Sequence, residues 1–314
     1  MKTMLDRLGR TIDYLRLSVT QRCNLNCSYC GAVSGVPAYE MTPGEMLRCV
    51  RVFAALGVTK LRLTGGEPLV RADLAEITAL LSPVIPDINA TTNGTLLTPS
   101  AARELKAAGL KRINISLDSL KPERYAAITG GGNLADALNG IENAMVSSLT
   151  PLHINAVLMR GVNDDEAGDF IRLAKEYPLT VRFIELMLLS NAENAGKTVP
   201  GHEIRERYPD LAPVGGRATG SPSVNYSAPG FQGAVGFISP VTEKFCAACN
   251  RVRLLSDGIL KPCLGCAGET DLKPFFGDEE KLASAIRAAV YGKPTGHHFE
   301  RGCAEGRPMR GIGG

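Results

Sequence analysis

The sequence predicts an α/β fold, an open partial barrel of six strand–helix units, and three observations carry that expectation. Strand-like and helical runs alternate from residue 14 to residue 187, the pattern of a parallel sheet with helices packed outside it. Most of the strands alternate polar and apolar residues, although buried parallel strands usually read as continuous apolar runs. The units number six, two short of a closed barrel of this type.

The strand candidates are YLRLSV (14–19), KLRLTG (60–65), DINATT (87–92), RINISLD (112–118), LHINAVL (152–158) and TVRFIELM (180–187). Helical runs such as PGEMLRCVRVFAAL and PSAARELKAAG lie between them, the second stopped by Gly109. Alternation sets Leu15, Leu17 and Val19 against Arg16, Ser18 and Thr20, and Leu61 and Leu63 against Lys60, Arg62 and Thr64. Ile113, Ile115 and Leu117 oppose Asn114, Ser116 and Asp118, while Ile154 and Ala156 oppose His153 and Asn155. TVRFIELM is mixed and decides nothing. Outer helices claim the apolar face, so the polar, cationic face is left for the lumen. Unpaired cations there are costly, so the lumen is expected to take a hydrophilic, anionic ligand. The competing reading is the solvated face of an antiparallel sheet, which the strand–helix alternation opposes.

Residues 191–233 are rich in Gly, Ala, Ser, Pro and Asn and read as a linker with little regular structure. The expected division is therefore 1–190 for the barrel and 191–314 for the linker, a second cysteine region and a tail. In that region an SDG turn between RVRLL and ILKPC reads as a hairpin. The helix DEEKLASAIRAAV follows, then the tail RGCAEGRPMRGIGG.

The chain has 314 residues, 35 Lys plus Arg against 32 Asp plus Glu, and a net charge of +3. That balance excludes a general nucleic-acid binder, so anions must be held by locally placed cations. Nine cysteines, an odd and clustered count, point to metal binding in the cytoplasm rather than to a secreted disulfide scaffold. The N-terminal residues lack a signal peptide's apolar stretch, and no run approaches the roughly 20 apolar residues of a membrane span.

Cys23, Cys27 and Cys30 form C-x3-C-x2-C just after the first strand. Three thiolates on one loop hold three irons of a [4Fe–4S] cube and leave the fourth open. A structural zinc site would want a fourth ligand, and no Cys or His lies nearby in sequence. With the aromatic Tyr29 before the last Cys, the motif is similar to the signature of radical S-adenosylmethionine (SAM) enzymes. LTGGEPL (63–69) follows the second strand, and its Gly65–Gly66 pair permits close backbone approach. Cys49 lies in an amphipathic helical run and reads as core.

Cys246, Cys249 and Cys263 form C-x2-C-x13-C, and Cys266 adds another C-x2-C. Spacing alone leaves a zinc ribbon and an iron–sulfur cluster both open. Arg251 and Arg253, alternating beside the cysteines, are cations that a purely structural zinc site does not require.

Nearly the whole chain resembles the GTP 3′,8-cyclases of molybdenum cofactor biosynthesis, a radical SAM family. The resemblance is carried by DRLGRTIDYLRLSVTQRCNLNCSYC, KLRLTGGEPLVR, TTNG, INISLD, ITGGG, RFIELM, FCAACNRVRLLSDGILKPCL and the final GIGG. It implies a partial (β/α)6 barrel whose C-terminal extension carries a second [4Fe–4S] cluster on Cys246, Cys249 and Cys263. It implies SAM contacts at Tyr29, Gly66, Ser116 and Met187. GTP contacts fall at Arg16, Lys60, Arg62, Thr92, His153, Arg182, Arg251, Val252 and Arg253. Arg310, Gly313 and Gly314 belong to a tail that reaches the active site and assists catalysis. The implied partners are GTP, a flavodoxin- or ferredoxin-like one-electron donor, a downstream cyclic pyranopterin monophosphate synthase of the MoaC type and a second copy of the chain.

Two departures stand out. His153 replaces the family's Lys, exchanging a constant charge for a conditional one. Cys266 is additional, either a spare thiol or a fourth ligand of the second cluster. Two other readings remain at this stage. One is a radical SAM enzyme of different specificity, such as a peptide modifier; the other is a non-catalytic iron–sulfur or zinc protein. His297 and His298 read as exposed histidines near the tail rather than metal ligands.

Overall fold

The computed structural model describes residues 3–31, 39–188, 194–215, 221–299 and 307–313. Six strands fall where the sequence places them: β1 Tyr14–Ser18, β2 Lys60–Thr64, β3 Asp87–Thr92, β4 Arg112–Ser116, β5 His153–Leu158 and β6 Thr180–Glu185. Helices α1 Pro43–Ala55, α2 Leu74–Leu81, α3 Pro99–Ala107, α4 Pro122–Thr129, α5 Leu134–Val146 and α6 Ala167–Glu176 lie between them. Local chemistry sets their ends. Thr42 and Glu45 close a reciprocal capping box on α1. Gly109, at φ +104°, follows the end of α3.

Beyond residue 187 the chain departs from the expected linker. Residues 191–233 contain α7 Gly201–Arg207, β7 Ala212–Pro213 and β8 Val224–Ser227. These elements span seven, two and four residues, too short to print a period on a Gly- and Ser-rich composition. They are followed by β9 Ala234–Ile238, β10 Arg251–Leu254, β11 Ile259–Lys261, β12 Thr270–Asp271 and α8 Glu279–Tyr291. The expected hairpin is β10–β11, which pairs antiparallel.

All strands join one sheet in the order β12-β11-β10-β1-β2-β3-β4-β5-β6-β9-β8-β7. Its centre is parallel throughout: β10 adds to β1 at one side and β9 to β6 at the other. The C-terminal region thus extends the barrel wall at both sides. Apolar residues on the outer face, including Leu15, Leu17, Leu61, Leu63, Ile113, Ile115, Ile154 and Val181, join one core with residues of the helices. The alternation also holds in β6, where Phe183 packs in the core and Ile184 faces the lumen. Both are apolar, which is why the sequence of this strand looked mixed.

Candidate active site

The sheet curls round a cavity of about 470 Å³ that both cysteine triads line. Cys23, Cys27 and Cys30 stand at the end of the lumen beyond the C-terminus of β1, and Cys246, Cys249 and Cys263 flank the N-terminal end of β10 and follow β11. Polar residues of the strands lie between: Arg16, Lys60, Arg62, Thr92, Ser116, His153, Arg182, Arg251 and Arg253 all reach the cavity wall, as do Tyr29, Gly66, Met187 and Arg310.

Strand register explains the charge pattern. Arg253, Arg16 and Arg62 are successive partners across β10, β1 and β2, and the row continues through Asn89 to Arg112. Four guanidinium-bearing positions thereby share one level of the wall. Burial, then Arg253 and Arg62, hold the Arg16 pKa well below its usual value; burial and Arg251 bring Arg253 to about 10. A row of like charges in a low-dielectric cavity is relieved by a polyanion. The wall also holds polar atoms with no protein partner: both amide atoms of Asn114, Oδ1 of Asn155, Nε of Arg182 and of Arg251, and Nδ1 of His153. Buried groups of this kind ask for a bound partner.

His153 lies among cations. Burial, then Arg182, Arg62 and Arg112, lower its pKa to about 2, so its imidazole is neutral in this lumen. Val252 differs from its neighbours: its side chain is fully buried in the core, opposite Leu15, and it does not line the cavity. Thr92 lines the cavity, but its hydroxyl donates to Glu67 at 2.7 Å.

The first triad's loop is locked onto the GGEP turn. Gly66 N–H donates to the Thr20 carbonyl and Glu67 N–H to that of Arg22. A Cβ on Gly66 would sit 2.4 Å from the Arg22 oxygen, so only glycine allows this approach. Buried Glu67 also accepts from Asn93 N–H and Leu69 N–H. Tyr29 donates to Asp118 at 2.6 Å, and Asp118 accepts from Val157 N–H on its other oxygen. Burial lifts Asp118 to about 6 despite both bonds.

Around the second triad, Arg251 lies over the Phe245 ring at 5.0 Å. Lys293, buried, donates to the carbonyls of Arg251 and Pro262. Cys266 is not on the cavity wall; its Sγ lies 3.5 Å from the Gly296 carbonyl. His297 corrects the expectation of exposure: it is buried, lines the cavity and stacks on Phe299 at 3.8 Å, while His298 is exposed. An aromatic platform two residues away is invisible until the chain folds back. Among the described residues no three Cys, His, Asp or Glu side chains gather closely enough to share a single metal ion.

The tail enters the same space. Met309 N–H donates to the Cys30 carbonyl, and Arg310 donates to the Leu25 carbonyl at 2.6 Å. Arg253 donates to the Gly313 carbonyl at 2.9 Å. Gly314 lies outside the described residues.

Sequence reasoning missed Arg112 and Lys293. Arg112 was within reach, sharing the parity of Asn114 and Ser116. Lys293 carried no signal, standing alone after α8.

Residues 17–174 match the Radical SAM superfamily, and residues 179–299 match Molybdenum Cofactor Synthesis C. The chain is 45% identical to a GTP 3′,8-cyclase of Moorella thermoacetica, covering 99% of this chain and 100% of that one. It is 44% identical to that of Pelotomaculum thermopropionicum, with 99% and 100% covered. Among solved structures, Streptococcus suis SuiB has a TM-score of 0.64 at 14% identity, over 92% of this chain and 68% of that one. SuiB bound to S-adenosylmethionine has a TM-score of 0.63 at 16% identity, over 89% and 69%. The likeness to SuiB is one of fold.

Proposed function

We propose that this chain, which belongs to the radical SAM superfamily and within it to the GTP 3′,8-cyclases, joins C3′ of the ribose of GTP to C8 of its guanine. The product is (8S)-3′,8-cyclo-7,8-dihydroguanosine 5′-triphosphate, at the first step of molybdenum cofactor biosynthesis. The observation that carries this reading is one cavity with a cysteine triad at each end and a row of arginines between them.

Cys23, Cys27 and Cys30 would hold a [4Fe–4S] cluster, which with bound SAM would supply, on one-electron reduction, the radical chemistry that hydrogen abstraction from the ribose requires. A second [4Fe–4S] cluster on Cys246, Cys249 and Cys263 is our assignment, supported by three thiols on one stretch of the cavity wall and the cations beside them. The chain's own residues perform the rest. Arg16, Lys60, Arg62, Arg182, Arg251 and Arg253 hold the triphosphate and orient the nucleotide. Nδ1 of His153, both amide atoms of Asn114 and Oδ1 of Asn155, all without a protein partner, offer hydrogen bonds to the nucleotide. Tyr29, Gly66, Ser116 and Met187 form the SAM side of the wall, with Tyr29 fixed by Asp118. Arg310 and Gly313 close the lumen against water and oxygen, and Gly314 extends that tail. In this reading 1–190 is the radical-generating part and 191–314 supplies the second cluster, substrate contacts and tail. A flavodoxin- or ferredoxin-like donor, a MoaC-type synthase that takes the product, a homodimeric state and a cytoplasmic location complete it. No helix among the described residues is long and apolar enough to cross a membrane.

The test is anaerobic. The chain is reconstituted with iron and sulfide, then given SAM, GTP and dithionite, and products are followed by mass spectrometry. Deoxyadenosine formed together with the cyclised nucleotide is the expected result. Deoxyadenosine at the same slow rate with and without GTP would sink GTP as the substrate and leave the radical chemistry standing.

A further inference from the structure

The root of the tail is fixed by charges that the reading above does not use. Arg307 pairs with Asp257, in the turn between β10 and β11, and its Nε lies 3.2 Å from Glu269. Glu269 is also 3.6 Å from the ammonium of Lys261, a buried residue of β11. One guanidinium is thus held from two sides by the segment that carries Arg251, Arg253 and Cys263.

Gly313 lies six residues further on. Between the two, Met309 is bonded to Cys30 and Arg310 to Leu25, while Ile312 is buried with Leu255 and Phe299. The end of this span is sterically restricted. Gly313 has φ +73°, and a Cβ there would lie 2.6 Å from Thr64 Oγ1 and 3.0 Å from Ser18 Cβ. A slip that brought Ile312 to this position would put a β-branched side chain where only glycine fits.

We propose that Arg307 is a positioning residue for the reaction: clamped between Asp257 and Glu269, it sets the register in which Gly313 meets Arg253, Ser18 and Thr64. Its kinetic consequence rests on the GTP-cyclase reading; the anchoring itself does not. Through the clamp, the segment bearing the second triad determines how the tail lies against the loop bearing the first.

The experiment uses the full, reconstituted chain with Arg307→Gln and Arg307→Lys, and Arg172→Gln as control because its pair with Asp169 on α6 is exposed. Arg307→Gln is expected to lower kcat for the cyclised nucleotide about 100-fold, the scale of a misplaced reacting geometry. KM for GTP, iron content and melting temperature stay near wild type, and Arg307→Lys recovers part of kcat. Separately, carboxypeptidase trims the C-terminus of Arg307→Gln faster than that of wild type, read by mass spectrometry without turnover. Wild-type kcat in Arg307→Gln, a fall shared with iron content and not recovered by Lys, or unchanged trimming would overturn the proposal. If wild type itself makes no cyclised nucleotide, the functional reading fails, and the trimming arm still decides whether Arg307 anchors the tail.

Discussion

The two cysteine triads share one cavity but live in opposite electrostatic surroundings. At the first, burial is the main force and the neighbours are anionic. Burial and then Cys23 push Cys30 up to about 12, and burial and Asp118 push Cys27 up as well. Arg310, from the tail, opposes both. At the second, nearby cations pull the thiols the other way. At Cys249 burial is the largest single influence and pushes the thiol up, but Arg251, Lys293 and a backbone hydrogen bond from Arg251 together leave it lowered. Cys263 falls to about 6, first through its bond from Cys266 and then through Lys293 and Arg253. The first loop is therefore an enclosure that favours thiolates only when a cluster arrives, while the second belongs to the anion-binding wall. In the proposed reaction this placement suits the two triads, because radical generation needs seclusion and substrate binding needs charge.

The largest effect should come from the enclosed side. Cys27→Ser is expected to abolish both deoxyadenosine and cyclised nucleotide, and to lower iron by about four atoms per chain, one cluster's worth. Retained deoxyadenosine formation would break the assignment of that triad. On the cationic side the loss should be graded. Arg253→Gln removes a charge-assisted contact and should raise KM for GTP about 10–100-fold, with the first cluster's iron intact. An unchanged KM would remove Arg253 from the substrate wall.

The asymmetry between the triads was only half legible in the sequence. The first loop, the GGEP turn and the alternating strands β1, β2, β4 and β5 declared themselves, because period two prints faces directly onto the chain. What escaped was whatever depended on chain return. Lys293, which lowers Cys249 and Cys263, lies 44 and 30 residues from them. Arg307 and its two carboxylates lie in segments that no local pattern connects. The short strands β7 and β8 escaped for a different reason, having too few residues to show a period.

Asp118 gives a milder test of enclosure. Its carboxyl stands at about 6 because burial outweighs the bonds from Tyr29 and Val157, above the unfolded value of about 3.9. The native state thus holds a proton that the unfolded chain releases first. Stability from this group is fully present below about pH 4 and is lost as pH rises through about 6. Asp118→Asn removes the titration. Between pH 4 and pH 7 the iron-free wild type should lose up to about 3 kcal/mol relative to the variant in denaturant unfolding. A pH-independent difference would show that Asp118 is ionised throughout and that the first site is wetter than its burial implies.

The smallest expected effect decides whether the second site truly has three ligands. Cys266 lies behind Cys263, off the cavity wall, with its Sγ near the Gly296 carbonyl. Its thiol has one proton to give, and an ionised Cys263 competes with that carbonyl for it. We expect it in this position to support a ligand rather than to be one. Cys266→Ala should therefore leave iron content unchanged and GTP binding nearly so, shifting only the reduction potential of the second cluster, as the loss of a hydrogen bond to a ligand sulfur does. If iron instead falls by a cluster, Cys266 is a fourth ligand. The second cube is then closed, no iron remains open to GTP, and recognition of the nucleotide must rest on the arginine row alone.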